Sequence, residues 1–580
     1  MFLNSRVHHT SDLKLHLIYN LVINMAFVQA MNTPDLTKVG VNGANVYTEE
    51  GVGDYRVSLF TMLNRGLEQS YIQDYTRKIY NRNVTDEIRD LFVMAFQTRD
   101  VRGGKGERRL FHHFIHALYE HDKETVHQML RLIPKYGCWR DMWELLKDVP
   151  ELETEIFRIT RDCFKDDLVK CHSDQKNKMS LLAKWLPREN SGTYPGLARR
   201  LANRIYGFEE SERKRLVKYR KDTSMMNKAL NTVEINMCDK SWAEIKPEAV
   251  PGRCLKIHNK AFLNEPVKKS YTDALRYATS EDRMACRKHF QEFVEALAKG
   301  EKKAHGANVV MPHELVVKAL SGGTSSDELG INQGQWDSIR EETLKLGGLG
   351  KCVPMCDFSG SMNGLPKLIS LALGILVSEI NHSAFKDHIL TFDAEPKWHS
   401  FAGKSSLKEK LDSIHGDLGQ GLNTNFYKAC MRIVEKMKQA KVPVGDEPAD
   451  LIVFTDMGFD SANSDNKYYS CRTAKVDEWD TQIQQIRDEF KRVGEEVWGV
   501  GNGWKAPRIV IWNLSAHYND FHAKADQEGV VQLSGWSPSM LKALQKGGVQ
   551  VMTPYQGMRT ILDDERYDEV RDVWNTVHKI

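Results

Sequence analysis

The run Cys352-Val353-Pro354-Met355-Cys356-Asp357-Phe358-Ser359-Gly360-Ser361-Met362 decides how the C-terminal part of this 580-residue chain folds. Its first five residues are apolar and read as a short buried strand, after which Leu365–Ile380 reads as a helix. The alternation continues downstream. Short apolar runs at His388–Phe392, Leu451–Thr455 and Arg508–Leu514 are interleaved with helical stretches at Asn425–Lys438 and Thr481–Phe490, and a last helix is expected near Ser537–Leu544. Strands alternating with helices predict a mainly parallel sheet with helices on both faces.

In such sheets ligands collect at the carboxyl ends of the strands, where the loops converge. Asp357, Ser359 and Ser361 set three oxygen-bearing side chains at the end of the first strand. Thr424, in Gly421-Leu422-Asn423-Thr424, opens the next long helix, and Asp456 ends the strand Leu451–Thr455. Hard oxygen donors carrying little negative charge suit Mg²⁺, which keeps several of its waters. Asp-x-Ser-x-Ser alone has an ordinary alternative as helix-capping chemistry. Thr424 and Asp456 at matching strand ends favour a cation site.

Upstream the rhythm is different. Ile88, Leu91, Phe92, Ala95 and Phe96 fall on one helical face, as do Leu110, Phe111, Phe114, Ile115 and Leu118, and then Val126, Met129, Leu130 and Ile133. Helix-sized units recur between short breaks at roughly 40 residues per pair, the tempo of stacked helical hairpins. Glycine-rich stretches at Ser321–Ser326 and Gly347–Gly350 flank a helix-like segment, Trp336–Leu346, and mark a domain boundary.

The charge follows the same division. The formal net of +3 conceals 39 basic against 29 acidic residues over 101–300, and 32 against 38 over 301–580. A basic helical part joined to an acidic α/β part points to two modules with different partners. With 41% hydrophobic and 27% charged residues the chain is neither disordered nor fibrous. Ten cysteines without a C-x-x-C pair read as reduced, mostly buried thiols of an intracellular, cytoplasmic protein. The apolar stretch Leu13–Ala30 is interrupted by Lys14, His16, Asn20 and Asn24, short of the ~20 clean residues of a membrane helix. It mimics a signal peptide, and Met25 is an alternative start, but the thiols argue against export.

Asp357-x-Ser359-x-Ser361, Thr424 and Asp456 together resemble the metal-ion-dependent adhesion site (MIDAS) of von Willebrand factor type A domains. The resemblance implies one divalent cation, Mg²⁺ or else Mn²⁺ or Ca²⁺, with a position left open for an acidic side chain of a partner. Pro134-Lys135-Tyr136-Gly137-Cys138-Trp139-Arg140-Asp141 and Met311-Pro312-His313-Glu314-Leu315 are similar to the TROVE-module proteins of the Ro autoantigen type. Ser180–Pro187 and the stretch from Met237 to Phe262 more closely resemble an uncharacterised family of that architecture known from plants, fungi and large DNA viruses. The implied fold is α + α/β: an N-terminal extension over residues 1–53, a TROVE-like, HEAT-like helical repeat domain over 54–346, and a Rossmann-like von Willebrand factor A domain over 347–580. Ro-type proteins bind structured and misfolded RNA on a helical ring, which makes RNA an expected partner by analogy.

Two basic clusters could carry it. Arg99, Arg102, Lys105, Arg108 and Arg109 surround Gly103, Gly104 and Gly106; Arg199, Arg200, Arg204, Lys214, Arg215 and Lys218 are interleaved with Tyr206, Phe208 and Tyr219. Cations track phosphates and aromatic rings stack on unpaired bases, although charge runs are also the ordinary solvated faces of helices. His112, His116 and Glu120 have metal-compatible helical spacing but read as a solvated face, and Trp139, Trp143 and Trp185 read as core or helix-junction anchors. Gly103-Gly104-Lys105-Gly106 lacks the phosphate-loop spacing. The sequence therefore points to a non-enzymatic RNA-binding protein with a cation site for partners and no membrane association. A metal-linked assembly scaffold without nucleic acid is the alternative, and a metal-dependent hydrolase using Asp460 as base is a third reading.

Overall fold

A computed structural model describes residues 35–580 except 42, 44, 208–210, 267–274, 346–348, 393–395, 415–425, 459–478, 519 and 546–551. Two short antiparallel strands, β1 (Thr37–Val39) and β2 (Asn45–Tyr47), precede the first helices. A long helical part follows, then a six-stranded sheet with helices on both faces. The α plus α/β organisation read from the sequence is the observed one.

The sheet strands are β3 (Cys352–Asp357), β4 (His388–Phe392), β5 (Trp398–Ser400), β6 (Asp450–Thr455), β7 (Arg508–Asn513) and β8 (Val530–Ser534). Their order is β5-β4-β3-β6-β7-β8, and every pairing is parallel except that of β5 with β4. From β3 the chain first builds outward through β4 and β5, then returns to lay β6, β7 and β8 on the other side. The reversal opens a crevice at the carboxyl ends of β3 and β6, the topological switch point where α/β sheets bind ligands.

Both faces of the sheet are buried, and the period of two sorts the side chains between two cores. Val353, Met355, Leu451, Val453, Ile509 and Ile511 face one core, shared with the helices Phe426–Ala440 and Trp479–Trp498. Cys356, Ile452, Phe454, Val510, Trp512 and Leu533 face the other, which runs on without a break into the helical part. On that face Leu365–Ile380 packs so tightly that a Cβ on Gly374 would stand 2.2 Å from Cys356 Sγ.

Both ends of the helical part return to the α/β domain. At the beginning, Asp100 accepts from Arg566 Nη2 at 2.9 Å, Tyr136 donates to the Arg566 carbonyl at 2.7 Å, and Asp122 pairs with His578 at 3.0 Å. These contacts dock the C-terminal helix Asp568–His578 on the helices around residues 85–129. At the far end, Trp336 of the helix Ser326–Lys345 donates its indole N–H to Glu379 at 2.9 Å, and the buried Lys410 completes that carboxylate at 2.8 Å. The two ends also meet: Gly106 closes on Met311, while His313 stands edge-on to Trp536 with Arg65 over the same indole.

Some sequence expectations shift. The helix expected from Trp336 begins at Ser326, and the expected helix near Ser537–Leu544 is a 3-10 turn, Pro538–Leu541, with one helical turn after it. Helices Pro554–Leu562 and Asp568–His578 and strands β5 and β8 add to the elements named from the sequence. Five of the described cysteines are buried, and none is in a disulfide among the described residues. No described helix is long and apolar enough to cross a membrane; Leu13–Ala30 lies outside the described residues.

Candidate metal centre at the switch point

Parallel pairing in register, Cys356 opposite Phe454, carries Asp357 and Asp456 to the carboxyl ends of adjacent strands. Both are completely buried, Ser359 nearly so, and Ser361 is exposed at the mouth. Asp357 Oδ1 accepts from the Ser359 amide at 2.9 Å, and its Oδ2 accepts from the Thr455 hydroxyl at 2.8 Å. Ser359 Oγ and Ser361 Oγ lie 3.1 Å apart. Asp456 Oδ1 accepts from the Gly458 amide at 3.1 Å, whereas its Oδ2 is buried with no hydrogen-bond partner among the described residues.

Two carboxylates sealed from water repel each other. Burial, and then the charge of Asp456, push the Asp357 carboxyl up to about 7. Burial also raises Asp456, opposed by the Ser361 hydroxyl and nearby backbone amides. A buried carboxylate oxygen without a donor is costly unless a proton or a cation joins it. Among the described residues, His, Cys, Asp and Glu side chains nowhere gather in threes to hold a metal. The donors that do converge are two carboxylates and two hydroxyls, a set suited to Mg²⁺ that keeps several waters. Thr424 and Asp460 lie outside the described residues.

Three residues that the sequence reading passed over shape this centre. Thr455 holds Asp357 and also accepts from the Met457 amide at 3.2 Å. Met457 adopts a left-handed backbone with φ 74°. His522 is wholly buried with Nε2 2.7 Å from the Met457 carbonyl. A polar Thr455 closing an otherwise apolar strand beside an aspartate was the one available signal; nothing local marks Met457 or His522.

The basic clusters come out differently. Lys105 is fully buried: its Nζ lies 3.1 Å from the Phe60 carbonyl, 3.2 Å from that of Leu63 and 2.5 Å from Ser534 Oγ. Arg99 is buried on Asp141, which also takes Arg108 at 2.5 Å. The expectation that Arg99 and Lys105 meet phosphate is thereby corrected, because both are spent on internal acceptors; Arg102 and Arg109 remain exposed. In the second cluster Arg215 is buried against Asn203, while Arg199, Arg200, Arg204, Lys214 and Lys218 are exposed on the helices Leu197–Tyr206 and Glu212–Leu230, which pack together. Arg199 pairs with Glu212, Arg200 with Glu153, and Lys218 lies over Tyr206; Phe208 lies outside the described residues.

The solvated face expected of His112, His116 and Glu120 is corrected at His112 alone. His112 is buried 3.4 Å from Asp148, whereas His116, 2.7 Å from Gln69, stays partly exposed beside the exposed Glu120. Trp143 is a buried anchor, donating to the Trp185 carbonyl at 2.9 Å.

Residues 351–576 match a domain family described only as a domain of unknown function, DUF7788. The chain is also similar to an uncharacterized protein, L728, of Acanthamoeba polyphaga mimivirus: 23% identical over 555 residues, covering 91% of this chain and 89% of that protein. The viral similarity runs through the helical part as well as the sheet domain.

Proposed function

We propose that this chain is a non-enzymatic binding protein whose α/β domain, of von Willebrand factor A type, holds a divalent cation, and whose helical part presents RNA. Asp357 and Asp456 hold the ion directly or through water, with Ser359, Ser361 and Thr424 completing an adhesion-type oxygen shell and an acidic group of a partner taking the open position. Mg²⁺ is the first candidate, with Mn²⁺ and Ca²⁺ as substitutes. The observation that carries the reading is the buried Asp456 Oδ2, without a hydrogen-bond partner among the described residues, at the strand end next to a second buried carboxylate. A cation supplies the charge those two oxygen pairs lack.

Support for a TROVE-type arrangement comes from the return of both ends of the helical part to the α/β domain. Support for RNA comes from the exposed Arg199, Arg200, Arg204, Lys214 and Lys218 on one helical hairpin. The reading as an assembly scaffold without nucleic acid shares the same cation site and differs in the partner alone.

The test is calorimetric titration of chelator-treated full-length protein with Mg²⁺, beside Asp456→Asn. A single saturable site in the wild type, lost in the variant, is expected. Wild-type protein that takes up no Mg²⁺, Mn²⁺ or Ca²⁺ at millimolar concentration sinks the proposal.

A further inference from the structure

The loop that carries Asp456 is held in an unfavourable backbone state, and the group that holds it lies in a distant part of the chain. Met457 follows Asp456 with φ 74°, a left-handed conformation that costs a side-chain-bearing residue about 1–2 kcal/mol. The turn it makes brings the Gly458 amide back onto Asp456 Oδ1 and leaves Oδ2 buried without a hydrogen-bond partner among the described residues. Three things oppose relaxation of Met457. Its side chain is fully buried in the core shared with the helices Phe426–Ala440 and Trp479–Trp498, its amide donates to Thr455 Oγ1, and its carbonyl receives His522 Nε2 at 2.7 Å. A carbonyl only accepts, so Nε2 carries the hydrogen, and no water competes because the ring is completely buried.

His522 is itself fixed from the N-terminal part of the chain. The Tyr47 amide of β2 donates to the neighbouring Phe521 carbonyl at 2.8 Å, Val41 donates to Asp520 Oδ2 at 3.0 Å, and the Ala525 amide donates to the Val52 carbonyl at 2.8 Å. The loop Asp520–Ala525 is thus stitched to the first helices on one side and to the Asp456 turn on the other.

We propose that His522 is a positioning residue of the cation site, acting through the Met457 carbonyl to keep Asp456 Oδ2 aimed at the ion. This rests on the cation reading above. It adds that the affinity of the centre is set by a group that never touches the metal, and that the N-terminal hairpin braces that group.

The experiment titrates chelator-treated full-length protein with Mg²⁺ alone, following heat and, separately, thermal midpoints in chelator. His522→Ala should weaken Mg²⁺ binding about tenfold, within the range typical of groups that orient ligands. His522→Gln, whose amide N–H can reach the same carbonyl, should stay within about threefold of wild type. A merely structural role would lower the midpoint of the alanine variant and leave its Mg²⁺ affinity at the wild-type value; that result overturns the inference while leaving the cation site standing. Wild-type protein that fails to bind Mg²⁺ overturns the cation reading instead. Should the alanine variant not fold, the wild type decides: Mg²⁺ at saturation should slow solvent exchange of the His522 Nε2–H, because coupling between two sites is reciprocal. An exchange rate indifferent to Mg²⁺ refutes the proposal.

Discussion

Lys105 of the helical part places its Nζ 2.5 Å from Ser534 Oγ at the end of β8, sealed from solvent between the two halves of the molecule. The same nitrogen meets the Phe60 and Leu63 carbonyls at the end of the helix Tyr55–Met62, where the last carbonyls of a helix lack internal partners and carry partial negative charge. Asn513 adds a second stitch, donating to the Thr61 carbonyl at 3.1 Å from the end of β7. The first helices and the last strands are therefore one packed unit, although some 430 residues separate them in the chain.

Lys105→Met is expected to destabilise the protein by about 2–4 kcal/mol, since two buried carbonyls and a hydroxyl lose their shared donor while the apolar volume is kept. Arg102→Ala, three residues away and exposed, should change stability by less than about 0.5 kcal/mol. Denaturant unfolding of the two variants checks this. Equal midpoints would mean that the buried lysine contributes nothing to the joint.

Lys105 also shows what a single sequence hides. Its neighbours Arg102, Gly103, Gly104 and Gly106 read as a solvated basic loop, because nothing local says that Ser534 will come to it. The α/β domain was far more legible. Cys352–Cys356, Leu365–Ile380, His388–Phe392 and Leu451–Thr455 fall within one residue of the observed bounds, since strands buried on both faces are short continuous apolar runs bounded by turns. Strand β8 escaped because Gln532 interrupts it and Ser534 ends it, two polar residues buried only by virtue of the helical part that reaches them. At the site, the ligand-type residues could be read from chemistry and order along the chain. The left-handed Met457 and the histidine behind it depend on tertiary contacts and left no pattern.

Asp456→Asn should stabilise the protein in chelator at neutral pH by about 1 kcal/mol or more, because it removes one of two buried like charges and keeps the Oδ1 acceptor for Gly458. Saturating Mg²⁺ should reverse the ranking, raising the wild type and leaving the variant where it was. Thermal melts with and without Mg²⁺ measure both halves. A variant less stable than the wild type in chelator would show that the repulsion is already relieved in the free protein.

His313 gives the junction a pH dependence of known sign. Burial pushes its imidazole down to about 4 from the usual 6.5, and its Nδ1 has no hydrogen-bond partner among the described residues. The folded state therefore binds fewer protons than the unfolded one between those values, so its contribution is fully present above about 6.5 and falls away as pH drops toward 4. The loss is on the order of 3 kcal/mol. His313→Phe keeps the edge-on packing against Trp536 and has nothing to protonate. Its stability relative to wild type should rise steadily from pH 6.5 to 4, read from unfolding midpoints across that window; a constant difference would contradict the assignment.

The last expectation concerns the helical hairpin of exposed cations. If RNA lies along Leu197–Tyr206 and Glu212–Leu230, replacing Arg204, Lys214 and Lys218 together with alanine removes up to three phosphate contacts without touching a buried side chain. Each contact to a single strand contributes about 0.7 to the slope of log affinity against log salt, so the slope should fall by up to about 2. A short single-stranded RNA titrated at several salt concentrations measures it, with Arg102→Ala as the comparison at the other cluster. A loss of affinity with an unchanged slope would point to stacking on Tyr206 or to altered folding, not to phosphate neutralisation. Wild-type protein that binds no RNA at ~50 mM salt would remove nucleic acid from the account and leave the scaffold reading, with the cation site as its means of engaging a partner.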